Sequence, residues 1–185
     1  MDDISGIKVY VFHYKSGSIL KTGQIYQPVM AGNALLSGYK TIPGDDTGEN
    51  ISLKNPYYSE LTGIYWVWKN TLQRITGTFH YRRFFSAKPE PLLYRLKRLF
   101  YFPAGLYKKR FGLIYTENTK LLTPNILNEQ EINELLNQYD AILPQARKLK
   151  YSVETHFRRY HDIHDLNLLE TILTDIHPEY LEAFH

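Results

Sequence analysis

The stretch over residues 75–85, Ile-Thr-Gly-Thr-Phe-His-Tyr-Arg-Arg-Phe-Phe, constrains the fold more than any other. A short β-prone, apolar run breaks abruptly into His80, Tyr81, Arg82 and Arg83, so the polar groups fall where a strand ends. Upstream, residues 55–70 read as an aromatic helix, preceded by the acidic loop 44–50, Gly-Asp-Asp-Thr-Gly-Glu-Asn. Helix, buried strand and charged strand end in succession are the local grammar of an α/β sheet. In such sheets ligands bind beyond the carboxyl ends of the strands, where loops are free to carry polar groups. Two adjacent arginines there suit a phosphate-bearing ligand, because guanidinium forks match phosphate oxygens and stay charged. The alternative is structural, one arginine pairing with a carboxylate while the other lies in solvent.

Earlier in the chain, residues 7–12 (Ile-Lys-Val-Tyr-Val-Phe) predict a first strand. It exits into His13, Tyr14, Lys15, Ser16 and Gly17, without a GxGxxG or Walker loop, which disfavours an ordinary dinucleotide or P-loop enzyme. Residues 24–37 are ambiguous; in one reading Pro28 opens a short helix through Val29, Ala31, Ala34 and Leu35, stopped by Gly38. Asp45 and Asp46 suit three fates: holding a divalent cation, hydrogen-bonding a base or ribose, or serving as turn and cap residues. Asn55 and Pro56 form a good helix start, with Asn as N-cap. Leu61, Ile64, Tyr65, Trp68 and Leu72 then recur at helical spacing and are expected to face the sheet. Glu60 adjoins that stripe, and if partly buried it needs a partner, for which Arg82 or Arg83 is the candidate. Trp66 and Trp68 read as packing residues.

Downstream, Asn128 and Glu131 make a capping box for a helix through Ile132, Leu135, Leu136 and Tyr139. Residues 140–144 then read as a short buried strand stopped by Pro144, with Gln145, Ala146 and Arg147 at its exit. From residue 152 the pattern is helical, over 153–160, 166–176 and 178–184. His161 and Asp165, four apart, face one way if they share a helix, as a metal pair or a base with its orienting carboxylate does. The plainer reading makes them caps and surface groups.

A chain of 185 residues is the size of one domain with a substantial core. It has no cysteine, which excludes disulfides, thiolate zinc sites and a cysteine nucleophile. Met1 is followed by Asp2 and Asp3 rather than a basic segment and apolar core, so no signal peptide is expected. No run approaches the roughly 18 apolar residues of a spanning helix, and the expected location is the cytoplasm. Net charge is +3, and six of the 22 basic residues but none of the 19 acidic ones lie between Pro91 and Thr116. Aromatics and leucines interleave them, within a basic aromatic excursion over residues 87–122. Residues 91–116 suit peripheral contact with an anionic membrane, with nucleic acid as a disfavoured alternative and a solvated basic face as the plain one.

In order along the chain, residues 7–15, the loop 44–52, the Glu60-Leu61-Thr62 and Tyr65 to Asn70 blocks, His80-Tyr81-Arg82-Arg83-Phe84, residues 139–144, and His161 with Asp165 and Leu166 form one pattern. The sequence resembles the bacterial glycosyltransferase-like domain family of capsular and exopolysaccharide gene clusters, long catalogued as a domain of unknown function. The resemblance implies a GT-A-like, Rossmann-related open twisted α/β sheet flanked by helices, with a helical C-terminal part. It also implies transfer of a sugar from a nucleotide-diphosphate donor to a saccharide or lipid-linked acceptor, on the inner face of the membrane. The family continues past residue 185, so a C-terminal segment on the acceptor side is expected to be missing. The Asp-x-Asp that holds a metal in many GT-A enzymes has no counterpart, and residues 80–83 take its place.

On this footing the donor site is expected to comprise His13, Tyr14, Lys15, Asp45, Asp46, Asn50, Tyr81, Arg82 and Arg83, the two arginines holding the diphosphate. Asp46, Glu60 and His80 are the candidate catalytic residues, and His161 with Asp165 a weaker acceptor-side pair. No cofactor is fixed, and a divalent cation, Mg or Mn, is compatible. The rival expectation is a truncated, non-catalytic nucleotide-sugar-binding or assembly partner in the same pathway.

Overall fold

A computed structural model describes residues 5–15, 24–37, 42–86, 88, 89, 91–93, 96, 99, 119–144 and 150–185. The chain divides into two compact units, Met1–Pro144 and Gln145–His185. The first is built on three parallel strands, β1 (Ser5–His13), β2 (Tyr26–Met30) and β3 (Gln73–His80), in the order β2-β1-β3. The central strand is apolar on both sides, as burial between two layers requires. Ile7, Val9 and Val11 join Ile25, Tyr26 and Phe79 in one core cluster, completed by Ile126, Leu127 and Ile132. Tyr10 and Phe12, on the other face, pack with Val29, Val67 and Trp66. A helix over Glu129–Leu136 thus covers one face and α2 (Leu61–Asn70) the other, which is the expected α/β class.

Because all three strands run parallel, their carboxyl ends share an edge. Phe12 pairs in register with Val29 and with His80, and His13 with Met30. The ladder continues one step when Tyr81 N–H donates to the Phe12 carbonyl at 3.0 Å. Arg83 N–H then closes a turn on the His80 carbonyl at 2.9 Å, and Phe84 and Phe85 fold back edge-on against Phe79. Arg82 and Arg83 are therefore left exposed at the apex of a turn anchored on both sides.

Four expectations are corrected. Residues 26–30 form strand β2, not a helix opened by Pro28; an edge strand tolerates proline because one side of it owes the sheet no N–H. The helix over 55–70 is broken: α1 (Asn55–Tyr58) ends at Ser59, and Asn55 lies within α1 while Lys54 occupies the N-cap. Its buried face is Thr62, Gly63 and Val67, whereas Leu61 (54%) and Trp68 (69%) are exposed, as are Ile64 and Leu72. The cause is close approach: a Cβ on Gly63 would lie 2.5 Å from the Phe12 ring, so the helix docks on its small residues. Finally, residues 140–144 form no strand; Ile142 packs against the core, but Leu143 is 76% exposed and no neighbouring strand pairs with the segment.

The capping box of Asn128 and Glu131 forms as expected, each side chain bonding the other's backbone N–H at 2.9 Å. Tyr26 hydroxyl donates to the Leu127 carbonyl at 2.6 Å, tying β2 to the start of that helix. In the second unit, helices span Val153–Tyr160, Ile163–Ile176 and Leu181–Phe184. Among the described residues no helix is long and apolar enough to cross a membrane. Ser16, Gly17, Gly38, most of the basic stretch 91–116, and Gln145, Ala146 and Arg147 lie outside the described residues.

Candidate functional site

The exits of β1 and β3 and the break between α1 and α2 enclose a cleft of about 260 Å³. Phe12, His13 and Tyr14 line it from β1, His80 from β3, and Asn55, Ser59 and Glu60 from the helix break, with Ala31 beyond β2. Tyr81 adds an aromatic corner, its ring 4.4 Å from His80 and 5.5 Å from both His13 and Tyr14. Cations sit one ring further out, with Lys15 Nζ 5.4 Å from the Tyr14 ring and the Arg82 guanidinium 5.0 Å from that of Tyr81. Among the described residues neither Arg82 nor Arg83 is paired with a carboxylate. The expected Glu60 pairing with them is absent there too, and Glu60 is an exposed carboxylate on the cleft wall.

The two imidazoles differ in their surroundings. His13 is 3% exposed, its Nε2 has no hydrogen-bond partner among the described residues, and burial foremost, then the charge of His80, holds its pKa below 6.5. Burial likewise lowers His80; Glu60 pulls the other way, and Arg83 and Arg82 reinforce the depression. Arg82 N–H donates to His80 Nδ1 at 3.2 Å, so neutral His80 carries its proton on Nε2. Tyr81 hydroxyl donates to that of Tyr14 at a long 3.5 Å; this bond above all, with Lys15 adding to it, lowers Tyr14, and it raises Tyr81.

Of the three fates open to the acidic loop, its hydrogen bonds in the structure are those of turn residues. Asp45 is fully buried and accepts from Gly32 N–H and Asn33 N–H at 3.0 Å and from Ser52 hydroxyl at 2.5 Å. Its carboxylate thus binds the chain to itself, and Asp45 is absent from the cleft lining. Asp46 accepts from Asn33 Nδ2 at 2.7 Å, and Asn50 is engaged with Gly48 and Ser52. Neither lines the cleft. The Asp45 carboxylate, surrounded by three hydrogen-bond donors, is not arranged as a cation ligand, and among the described residues no three candidate ligands cluster.

His161 and Asp165 do not share a helix. His161 caps the end of Val153–Tyr160, Asp162 caps the start of Ile163–Ile176, and both His161 and Asp165 are exposed in the second unit. Sequence reasoning missed Asn55 and Ser59 as cleft residues. The available signal was the polar pair Ser59 and Glu60 in the middle of an aromatic helical pattern, where a break is least costly.

A family model described as a domain of unknown function, DUF4422, matches residues 8–185. Among solved structures the chain is similar to the apo structure of the WbbM bifunctional glycosyltransferase, with 30% identity and a TM-score of 0.75 over 97% of this chain and 30% of that one. The chain therefore spans less than a third of the matched enzyme. No curated protein sequence matches it.

Proposed function

We propose that this chain, which belongs to the DUF4422 family, is a glycosyltransferase domain whose cleft takes a nucleotide-diphosphate sugar. The observation that carries the reading is the convergence of two parallel strand exits on one cleft, with cations around it that pair with no carboxylate among the described residues, in a chain whose fold follows a glycosyltransferase over 97% of its length. Tyr14 and Tyr81 supply flat faces for base or sugar, and Lys15, Arg82 and Arg83 supply charge for the diphosphate.

In the reaction, the bond from the anomeric carbon to the diphosphate oxygen breaks and its electron pair leaves with the diphosphate. The acceptor hydroxyl oxygen forms the new bond to that carbon, and its proton passes to Glu60. Fixed cations beside the leaving group favour the transition state over the ground state, because negative charge grows there as the bond breaks. Glu60 is the candidate base because His80 Nδ1 is occupied and Asp46 lies off the cleft. The acceptor is a saccharide or lipid-linked saccharide of capsule or exopolysaccharide assembly at the inner membrane face, a point supported by the sequence resemblance alone.

The test is release of nucleoside diphosphate from UDP-glucose, UDP-galactose, GDP-mannose and dTDP-rhamnose. Wild type should turn over at least one of them, and Glu60→Gln should slow the release by roughly 10²–10⁴. Saturable binding without release supports the non-catalytic nucleotide-sugar-binding role instead, and no binding of any donor overturns both.

A further inference from the structure

Ser59 has φ 48° and ψ −132°, a backbone conformation that residues other than glycine seldom adopt, and among the described residues it is the one non-glycine residue with positive φ. Such a residue persists where its surroundings over-determine it. Here the constraint comes from Asn55, whose Nδ2 donates to the Ser59 carbonyl at 2.6 Å and to Thr62 Oγ1 at 3.1 Å. Thr62 Oγ1 donates to the same carbonyl at 3.1 Å, and Ser59 N–H returns to the Asn55 carbonyl at 2.8 Å. Asn55 is seated in turn against Gly32, where a Cβ would lie 2.5 Å from its Cγ, and Gly32 N–H is held by the buried Asp45. A chain of close contacts thus runs from the core carboxylate to the residue immediately before Glu60.

We propose that Asn55 is a positioning residue: its carboxamide holds Ser59 in the positive-φ turn that sets the Glu60 carboxylate on the cleft wall beside His80. This rests on the reading of Glu60 as the group that takes the acceptor proton. It assigns Asn55 a part in the reaction without contact with the reacting atoms. It also accounts for a strained turn in place of a continuous helix, since an unbroken helix over 55–70 has no bend at which Glu60 meets the exit of β3.

His80 reports the position of Glu60 without any substrate, because that carboxylate favours the protonated imidazole while burial and Arg83 and Arg82 oppose it. The groups facing it are His13 and Tyr81, whose rings adjoin the cleft, Glu60, and the two arginines of its own turn. The experiment is an NMR titration of the His80 imidazole in the full 185-residue chain. Glu60→Gln should lower its pKa measurably, because the one charge that favours the imidazolium is removed. Asn55→Ala should lower it by most of that amount. Adding Ser59→Gly to Asn55→Ala should restore the wild-type value, because glycine takes the positive φ unaided. If Glu60→Gln shifts His80 while Asn55→Ala does not, the proposal is overturned and the reading of Glu60 stands. If Glu60→Gln leaves His80 unmoved, Glu60 is not beside it and both fall. Should Asn55→Ala fail to fold, the double variant decides: folded with the wild-type titration it supports the proposal, and unfolded or still shifted it contradicts it.

Discussion

His80 Nδ1 accepts the backbone N–H of Arg82 at 3.2 Å, and this bond separates the two groups on the cleft wall that could take a proton. With Nδ1 engaged, the neutral ring presents Nε2–H, a donor suited to a phosphate or sugar oxygen rather than a base. His80→Asn keeps an acceptor near Nδ1 and should retain turnover within about tenfold, whereas loss of a general base costs roughly 10²–10⁴. The measurement is nucleoside diphosphate release by His80→Asn and Glu60→Gln side by side.

Arg82 and Arg83 lie on an exposed turn whose anchors are backbone bonds and the packing of Phe84 and Phe85. Replacing both by Ala should leave the melting temperature within a degree or two, since exposed side chains away from packed features contribute little to stability. Turnover should fall by about 10²–10³ or more, the scale of losing transition-state charge stabilisation. Wild-type turnover in the double variant contradicts their assignment to the diphosphate.

Asp45 yields the opposite pattern. Asp45→Ala strands two buried N–H groups and a hydroxyl, and should cost on the order of 3 kcal/mol in urea denaturation. For molecules that remain folded, nucleotide affinity should change little. A large affinity loss at unchanged stability would return Asp45 to the donor site.

Both cleft histidines titrate below 6.5 when folded, burial being the leading cause in each. The unfolded chain binds their protons near pH 6.5 and the folded chain only at lower pH. Stability is therefore fully present above 6.5 and declines as pH falls from there through the folded values. Urea midpoints at several pH values should show this decline, and a His13→Asn, His80→Asn variant should show less of it.

How much of this was legible in the sequence follows from which forces decide each element. β1 and the strand ending at His80 were readable because their apolar runs stop at charge, and the Asn128 box because capping is local chemistry. The face of α2 was not. Hydrophobic periodicity favoured Leu61, Ile64 and Trp68, but the helix docks on Thr62, Gly63 and Val67 because the Phe12 ring occupies the space a side chain at 63 would need. Gly63→Ala should accordingly cost about 1–3 kcal/mol despite its better helix propensity. The part Asp45 plays was left open for a related reason: a carboxylate in a glycine-rich loop has the same sequence appearance whether it faces a ligand or the backbone. Arg82 and Arg83 do follow the β3 exit, yet the cleft itself is lined by the break at Ser59, which Asn55 holds four residues away while itself seated against the distant Gly32.

The most direct test of the cleft as a nucleotide-sugar site is an NMR titration of the chain with UDP, GDP and dTDP, following the resonances of Tyr14, Glu60, His80 and Tyr81. Saturable shifts of these four residues with at least one nucleotide, greatly weakened by Arg82→Ala with Arg83→Ala, are the predicted result. Saturable shifts confined to the exposed face around Trp68, or none with any nucleotide, would contradict the account.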